Sequence, residues 1–233
     1  MNFFMFNPMY YLFAMPALLL GMYAQYKVRS SYSKYQEIAN RHGITGMEAA
    51  RRLLGNHGMH GVSVNETRGH LTDHYDPRNN SLHLSSGVAR SASVAALGIV
   101  AHEVGHAMQK QDNYFPMRIR SGLVPMVRIG SWLGPILFMI GLLMAGETLA
   151  LAGLLLFSGT LVFSLVTLPV EFNASRRAMA MLKQSGLVSS SEEEKGVQDV
   201  LSAASLTYVA AAIQALSTIL YYLFILSGSR RRR

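Results

Sequence analysis

The stretch SASVAALGIVAHEVGHAMQ, residues 91–109, decides how this chain is to be read. It opens with helix-capping serines and runs on as apolar residues to Ala101, the pattern of a buried helix. Within it, His102 and His106 stand four residues apart. That spacing puts both imidazoles on one helix face, where they reach a single metal ion together. Glu103 directly follows the first imidazole, placed to meet a water held by the same ion. This is the H-E-x-x-H arrangement, two metal-binding histidines and a general base. The plain alternative is a surface helix with a histidine pair and no metal, and a third ligand elsewhere in the chain would argue against it.

Around this stretch the chain is poor in charge and rich in apolar runs. Its 233 residues are 50% hydrophobic and 15% charged, with no cysteine. Disulfides are therefore excluded, and a metal must be held by nitrogen and oxygen. The net charge is +8, but the basic residues flank apolar runs and form no stripe interleaved with aromatics. The expected partner is thus the lipid bilayer, with no nucleic acid. Four runs, 8–26, 129–145, 148–170 and 203–227, approach or exceed the ~20 apolar residues that carry a helix across ~30 Å of hydrocarbon. Tyr10, Tyr11, Tyr23 and Tyr26 mark the ends of the first run as an aromatic belt. Only residues 146 and 147 part the second and third runs, which predicts a tight helical hairpin. Residues 1–7 carry no Lys or Arg, so the first run is expected as a permanent anchor and not as a cleaved signal.

The expected division is an N-terminal transmembrane anchor (1–27), a catalytic α+β region (28–122), a transmembrane hairpin (123–170), a third-ligand helix with a polar loop (171–202), and a C-terminal transmembrane helix with a basic tail (203–233). The hairpin returns 28–122 and 171–202 to one membrane face. In the α+β region, residues 31–42 read as helix. Thr45 and Glu48 have capping-box spacing before a helix over 47–54. Strands are expected over 61–65, 69–76 and 81–85, the last two around a turn at 77–80. Residues 112–117 end the motif helix, and SSSEEE at 189–194 reads as a polar loop. Residues 27–122 hold twelve Lys and Arg, which puts the active site on the cytoplasmic side of the cell (inner) membrane. The arginines at 230–233 pull the other way if all four runs cross.

A catalytic zinc takes three protein ligands and a water. Beyond the motif the candidates are His42, His57, His60, His70, His74 and His83, with the carboxylates of Asp73, Asp76 and Glu171. Glu171 stands out because it follows the third apolar run and Pro169, where an unpartnered acid is unfavourable. Its plain reading is an acid favoured by the dipole of a helix N-terminus.

HEVGH followed by an E-F-x-A element in a later helix resembles the gluzincin-type membrane metallopeptidases of the HtpX and prenyl-protein peptidase group. More closely, YDP at 75–77, SLHLS at 81–85, AHEVGHAMQ at 101–109 and PVEFNASRR at 169–177 look like the YugP-like family of neutral zinc metallopeptidases. The likeness covers nearly the whole chain. It implies a membrane-bound zinc endopeptidase acting on protein or peptide substrates, with one zinc per chain, His102, His106 and Glu171 as ligands and Glu103 as base. One position departs from the gluzincin pattern. Those enzymes usually carry Asp four residues after the ligand Glu, orienting a metal-bound His, and this chain has Ser175 there. Ser175 shares a helix face with Glu171 and can hydrogen-bond without charge. Asn173, Arg176 and Arg177 are further candidates for that supporting role, and the sequence does not choose among them.

The expected protein is mainly α, a membrane protein with a small α+β zincin-like catalytic domain and about four transmembrane helices. The strand at 81–85 has two readings, an edge on which an extended peptide pairs and a plain structural strand. His83 within it has two readings, a contact to substrate or to the tetrahedral oxyanion, and an ordinary exposed strand histidine. Membrane-protein quality control or processing is the role that suits a site at a membrane face. Two other classes compete. An intramembrane-cleaving protease needs its motif in a spanning helix, and the uncharged stretch before His102 is too short. A non-enzymatic scaffold with a structural metal has no use for the Glu between the histidines.

Overall fold

Capping by Ser93 starts the motif helix: its hydroxyl accepts the N–H of Ala96 at 3.2 Å, satisfying one of the donors a helix start leaves over. The computed structural model describes residues 8–144 and 146–230. Residues 1–7 of the expected anchor, residue 145 at the end of the second run and residues 231–233 of the tail lie outside the described residues. The elements in chain order are α1 (Pro8–Gln36), α2 (Gly46–Asn56), β1 (Ser63–Thr67), β2 (His74–Asp76), β3 (Ser81–Ser85), α3 (Ser86–Ala89), α4 (Val94–Gln111), α5 (Phe115–Leu143), α6 (Glu147–Gln184) and α7 (Ser191–Arg230). The protein is mainly helical with one small mixed sheet.

The chain divides into two compact units, and α1, α5, α6 and α7 each contribute residues to both. The first comprises Gln25–Arg118 and Pro169–Leu206. Its α2 opens with the capping box expected of Thr45 and Glu48. Its sheet has the order β1-β3-β2, β1 parallel and β2 antiparallel to β3. The strand at 81–85 is therefore central, which corrects the reading of it as an edge. β1 pairs along all five of its residues and β2 with Ser81–His83 on the other flank, because the four-residue turn at 77–80 folds β2 against β3. Leu82 and Leu84 point from β3 into a core shared with Leu53, Leu97, Val100, Val104, Met181, Leu182 and Val197. The stretch SSSEEE contains the start of α7 and is not wholly a loop. Ser190 Oγ accepts the Glu193 N–H at 3.2 Å while Glu193 Oε2 accepts the Ser190 N–H at 3.3 Å, a second capping box. Glu192, Glu193 and Glu194 then occupy the first turn, where the helix dipole favours them.

The second unit comprises Met1–Ala24, Ile119–Leu168 and Thr207–Arg233. Its large apolar side chains face outward, among them Leu12, Leu19, Met22, Trp132, Leu155, Leu165 and Leu223. Such a surface requires an apolar solvent. Its hydroxyls turn back onto the helix, as when Ser164 donates to the Thr160 carbonyl and Thr167 to the Phe163 carbonyl. α5 and α6 pack backbone to backbone through glycines, and a Cβ on Gly153 would lie 2.3 Å from the Phe138 nitrogen. Among the described residues, three helices are long and apolar enough to cross a membrane, Phe115–Leu143, Glu147–Gln184 and Ser191–Gly228. α1 matches them in length, while Tyr10, Tyr11, Tyr23, Pro8 and Pro16 make it less apolar than those three.

Candidate metal centre

α4 is an uninterrupted helix, so His102 and His106 lie one turn apart on the same face, rings edge to face with centroids 4.8 Å apart. Their partner arrives on α6. A Cβ on Gly105 would stand 2.7 Å from the Ala174 carbonyl oxygen, so only glycine admits α6 this close. The approach brings Glu171 Oε2 to 3.1 Å from His102 Nε2 and 3.5 Å from His106 Nε2. All three side chains are buried, and their ligand atoms lie within 4.8 Å of one another. Burial disfavours the His106 imidazolium, but the hydrogen bond and charge of Glu171 outweigh it and hold the pKa of His106 above the ordinary histidine value.

Two hydrogen-bonded chains hold the backs of the imidazoles. His102 Nδ1 lies 3.2 Å from Ser175 Oγ, and Ser205 Oγ on α7 is 3.5 Å further on. His106 Nδ1 lies 3.0 Å from Gln109 Oε1. Gln109 is fully buried and donates to the Val170 carbonyl at 2.8 Å and to Asn173 Oδ1 at 2.9 Å. Arg177 Nε also donates to Asn173 Oδ1, at 2.8 Å, and its guanidinium pairs with Asp112.

Glu103 projects from the same helix as the two histidines, and its Oε2 accepts the Tyr75 N–H at 2.9 Å. Tyr75 is the middle residue of β2. An edge strand thus fixes the carboxylate of the H-E-x-x-H motif. Asp73, just before β2, accepts from the Ser85 N–H at 2.8 Å and the Ser85 hydroxyl at 2.9 Å. Burial pushes the Asp73 carboxyl up; the Ser85 hydrogen bonds oppose this, and the Glu103 charge adds to the rise.

The structure brings His102, His106 and Glu171 together and puts Ser175 and Asn173 around them. Arg176 is exposed on α6 and is not brought to the site; the supporting arginine is Arg177. His83 alternates with Leu82 and Leu84 onto the opposite face of the sheet, where it stacks on His74 with ring centroids 4.7 Å apart. Gln109 is the residue that sequence reasoning missed. The available signal was its place on the His102/His106 face, three residues after His106, as a polar side chain in an otherwise apolar stripe.

The donor set fits zinc. Two imidazole Nε2 atoms and one carboxylate oxygen converge in a buried pocket, and both Nδ1 atoms are turned outward to oxygen partners. Three nitrogen and oxygen ligands with outer partners on the imidazoles are the make-up of catalytic zinc sites. The comparisons with known proteins agree. A family model described as "Putative neutral zinc metallopeptidase" matches residues 10–227. The "Putative membrane protease YugP" of Bacillus subtilis (strain 168) is 43% identical over 214 residues, covering 92% of this chain and 95% of that protein. No solved structure matches the chain. With the model and the relative both spanning nearly its whole length, the chain belongs to the neutral zinc metallopeptidase family.

Proposed function

We propose that this protein is a membrane-bound zinc endopeptidase that hydrolyses peptide bonds of proteins at the membrane surface. The observation that carries this reading is the convergence of His102 and His106 Nε2 on Glu171 Oε2, with Glu103 on the same helix. The unit with β2, β3 and α4 serves as a zincin-like domain, with His102, His106 and Glu171 as ligands. Zinc, when bound there, polarises the scissile carbonyl and makes a water acidic enough to attack near neutral pH. Glu103, steadied at Oε2 by the Tyr75 N–H, accepts the proton of the attacking water. It then returns that proton to the leaving nitrogen, which departs as an amine, while the other fragment keeps the new carboxyl group and loses the second water proton to solvent. Ser175 holds the His102 imidazole in place through both steps. α1 acts as a fourth span and anchor, the active site faces the cytoplasm at the cell (inner) membrane, and the role is quality control or processing of membrane proteins.

Zinc content and casein cleavage of the detergent-purified protein test this reading, measured on wild type, His102→Ala and Glu171→Ala. About one zinc per wild-type chain, lost with cleavage in both variants, is the expected result. Full zinc and activity in Glu171→Ala would remove it from the ligand set, and zinc without cleavage in wild type would favour the scaffold reading. Orientation is tested by labelling Ser189→Cys with an impermeant maleimide in intact cells; a chain without cysteine gives no background. Labelling without lysis would overturn the cytoplasmic assignment.

A further inference from the structure

Three hydrogen bonds converge on one fully buried amide, the side chain of Gln109. Gln109 Nε2 faces two acceptors, the Val170 carbonyl and Asn173 Oδ1. The first is a backbone carbonyl and can only accept. The oxygen of Asn173 is itself identified by Arg177 Nε, a group that can only donate. The amide nitrogen of Gln109 must therefore point at α6 and its Oε1 at His106. That oxygen can only accept, so the proton of a neutral His106 resides on Nδ1, 3.0 Å away. Nε2 is left with its lone pair directed toward Glu171.

We propose that Gln109 is a positioning residue that fixes the tautomer and ring orientation of His106 and so sets the protein's hold on its metal. The inference rests on the zinc reading of His102, His106 and Glu171. The anchor lies at a distance: Asp112 pairs with Arg177, Arg177 orients Asn173, and Asn173 with the Val170 carbonyl orients Gln109. His102 is served by a different device, the Ser175 and Ser205 hydroxyls. Both supports are neutral, where a carboxylate would otherwise draw the Nδ1 proton and make the ligand more basic. A serine hydroxyl rotates and can donate or accept, whereas the Gln109 amide is clamped by two acceptors and cannot. The His106 side is therefore the one that enforces the tautomer.

The test uses the full chain in detergent, wild type against Gln109→Met, which keeps length and removes all three side-chain hydrogen bonds. Zinc affinity is measured by chelator competition, with the unfolding temperature of the zinc-free protein and the visible spectrum of the cobalt(II) form recorded alongside. A 10–100-fold weaker hold on zinc in a folded Gln109→Met protein, with altered cobalt bands, is the expected result. A lower zinc-free unfolding temperature with unchanged zinc affinity and unchanged cobalt bands would mean a merely structural residue and overturn the proposal. Should Gln109→Met fail to fold, Asn173→Ala carries the same test, removing one of the two acceptors that clamp the amide. About 10-fold weaker zinc is expected of it, and wild-type affinity would overturn the proposal. Wild type that binds no zinc would overturn the underlying reading together with the proposal, whereas equal zinc in wild type and Gln109→Met would overturn the proposal alone.

Discussion

The unit formed by Gln25–Arg118 and Pro169–Leu206 hides its leucines, and the unit formed by Met1–Ala24, Ile119–Leu168 and Thr207–Arg233 displays them. Leu97 in the first is 0% exposed, while Leu155 in the second is 72% exposed. The same residue type at the same helical propensity ends up in opposite places because the two surroundings differ: water drives apolar surface inward, and hydrocarbon tails do not. The helix contacts follow suit. Both units use glycine to bring backbones together, Gly105 against Ala174 in the first and Gly153 against Phe138 in the second. In the first, the closeness brings the Glu171 carboxylate to the two imidazoles. In the second, it supplies the packing that a hydrophobic driving force would provide in water.

The sharpest way to break this contrast is to remove chemistry without touching packing. Glu103→Gln should lower kcat/KM on casein by about 10²–10⁴-fold while zinc content stays at the wild-type level; wild-type turnover would end the general-base role. Next in size, Leu97→Ala should cost about 2–5 kcal/mol of stability in denaturant titrations. Leu155→Ala should stay within about 0.5 kcal/mol, as expected of an outward side chain. Equal costs would show that Leu155 is packed against protein and not lipid. The glycine pair sharpens the comparison further. Gly105→Ala and Gly153→Ala should each cost about 1–3 kcal/mol through overpacking, yet only Gly105→Ala should weaken zinc binding in chelator competition.

The smallest effect expected is on the pH dependence of stability. Burial raises the Asp73 carboxyl above its unfolded value, so the folded state favours its protonated form. Its contribution is present below the unfolded value near 3.9 and is lost as pH rises through the higher folded value. Asp73→Asn keeps an acceptor for Ser85 and should flatten the unfolding midpoint across that acidic window. An unchanged curve would mean the carboxyl is better solvated than its position implies.

Much of the centre could be read from the chain because local periodicity encodes it. Four-residue spacing makes His102 and His106 neighbours on any helix, and Thr45 with Glu48 announces a capping box that the structure contains. Glu171 was singled out for its position after an apolar run, and the structure sets its carboxylate beside both imidazoles. What could not be read depends on contacts between distant segments. Whether residues 81–85 form an edge or a centre is decided by which strands flank them, and β1 and β2 reach β3 from different directions. Gln109 looks like any polar residue near a helix end until Asn173 and Val170 arrive from α6 to orient it. The start of α7 is hidden in the sequence for another reason. A run of serine and glutamate is polar in a loop and equally polar at a capped helix start, so composition alone does not separate them.

The order of the segments along the chain has a consequence for biosynthesis. His102 and Glu171 are 69 residues apart, and the intervening Ile119–Leu168 belongs to the other unit. At about 5–20 residues per second, the ribosome delivers Glu171 roughly 3–14 s after His102. A nascent chain therefore carries His102, Glu103 and His106 for seconds without the Glu171 carboxylate that completes the cluster. Translation itself withholds the finished site until the apolar hairpin has been synthesised, so a chain truncated before α6 carries an unarmed motif.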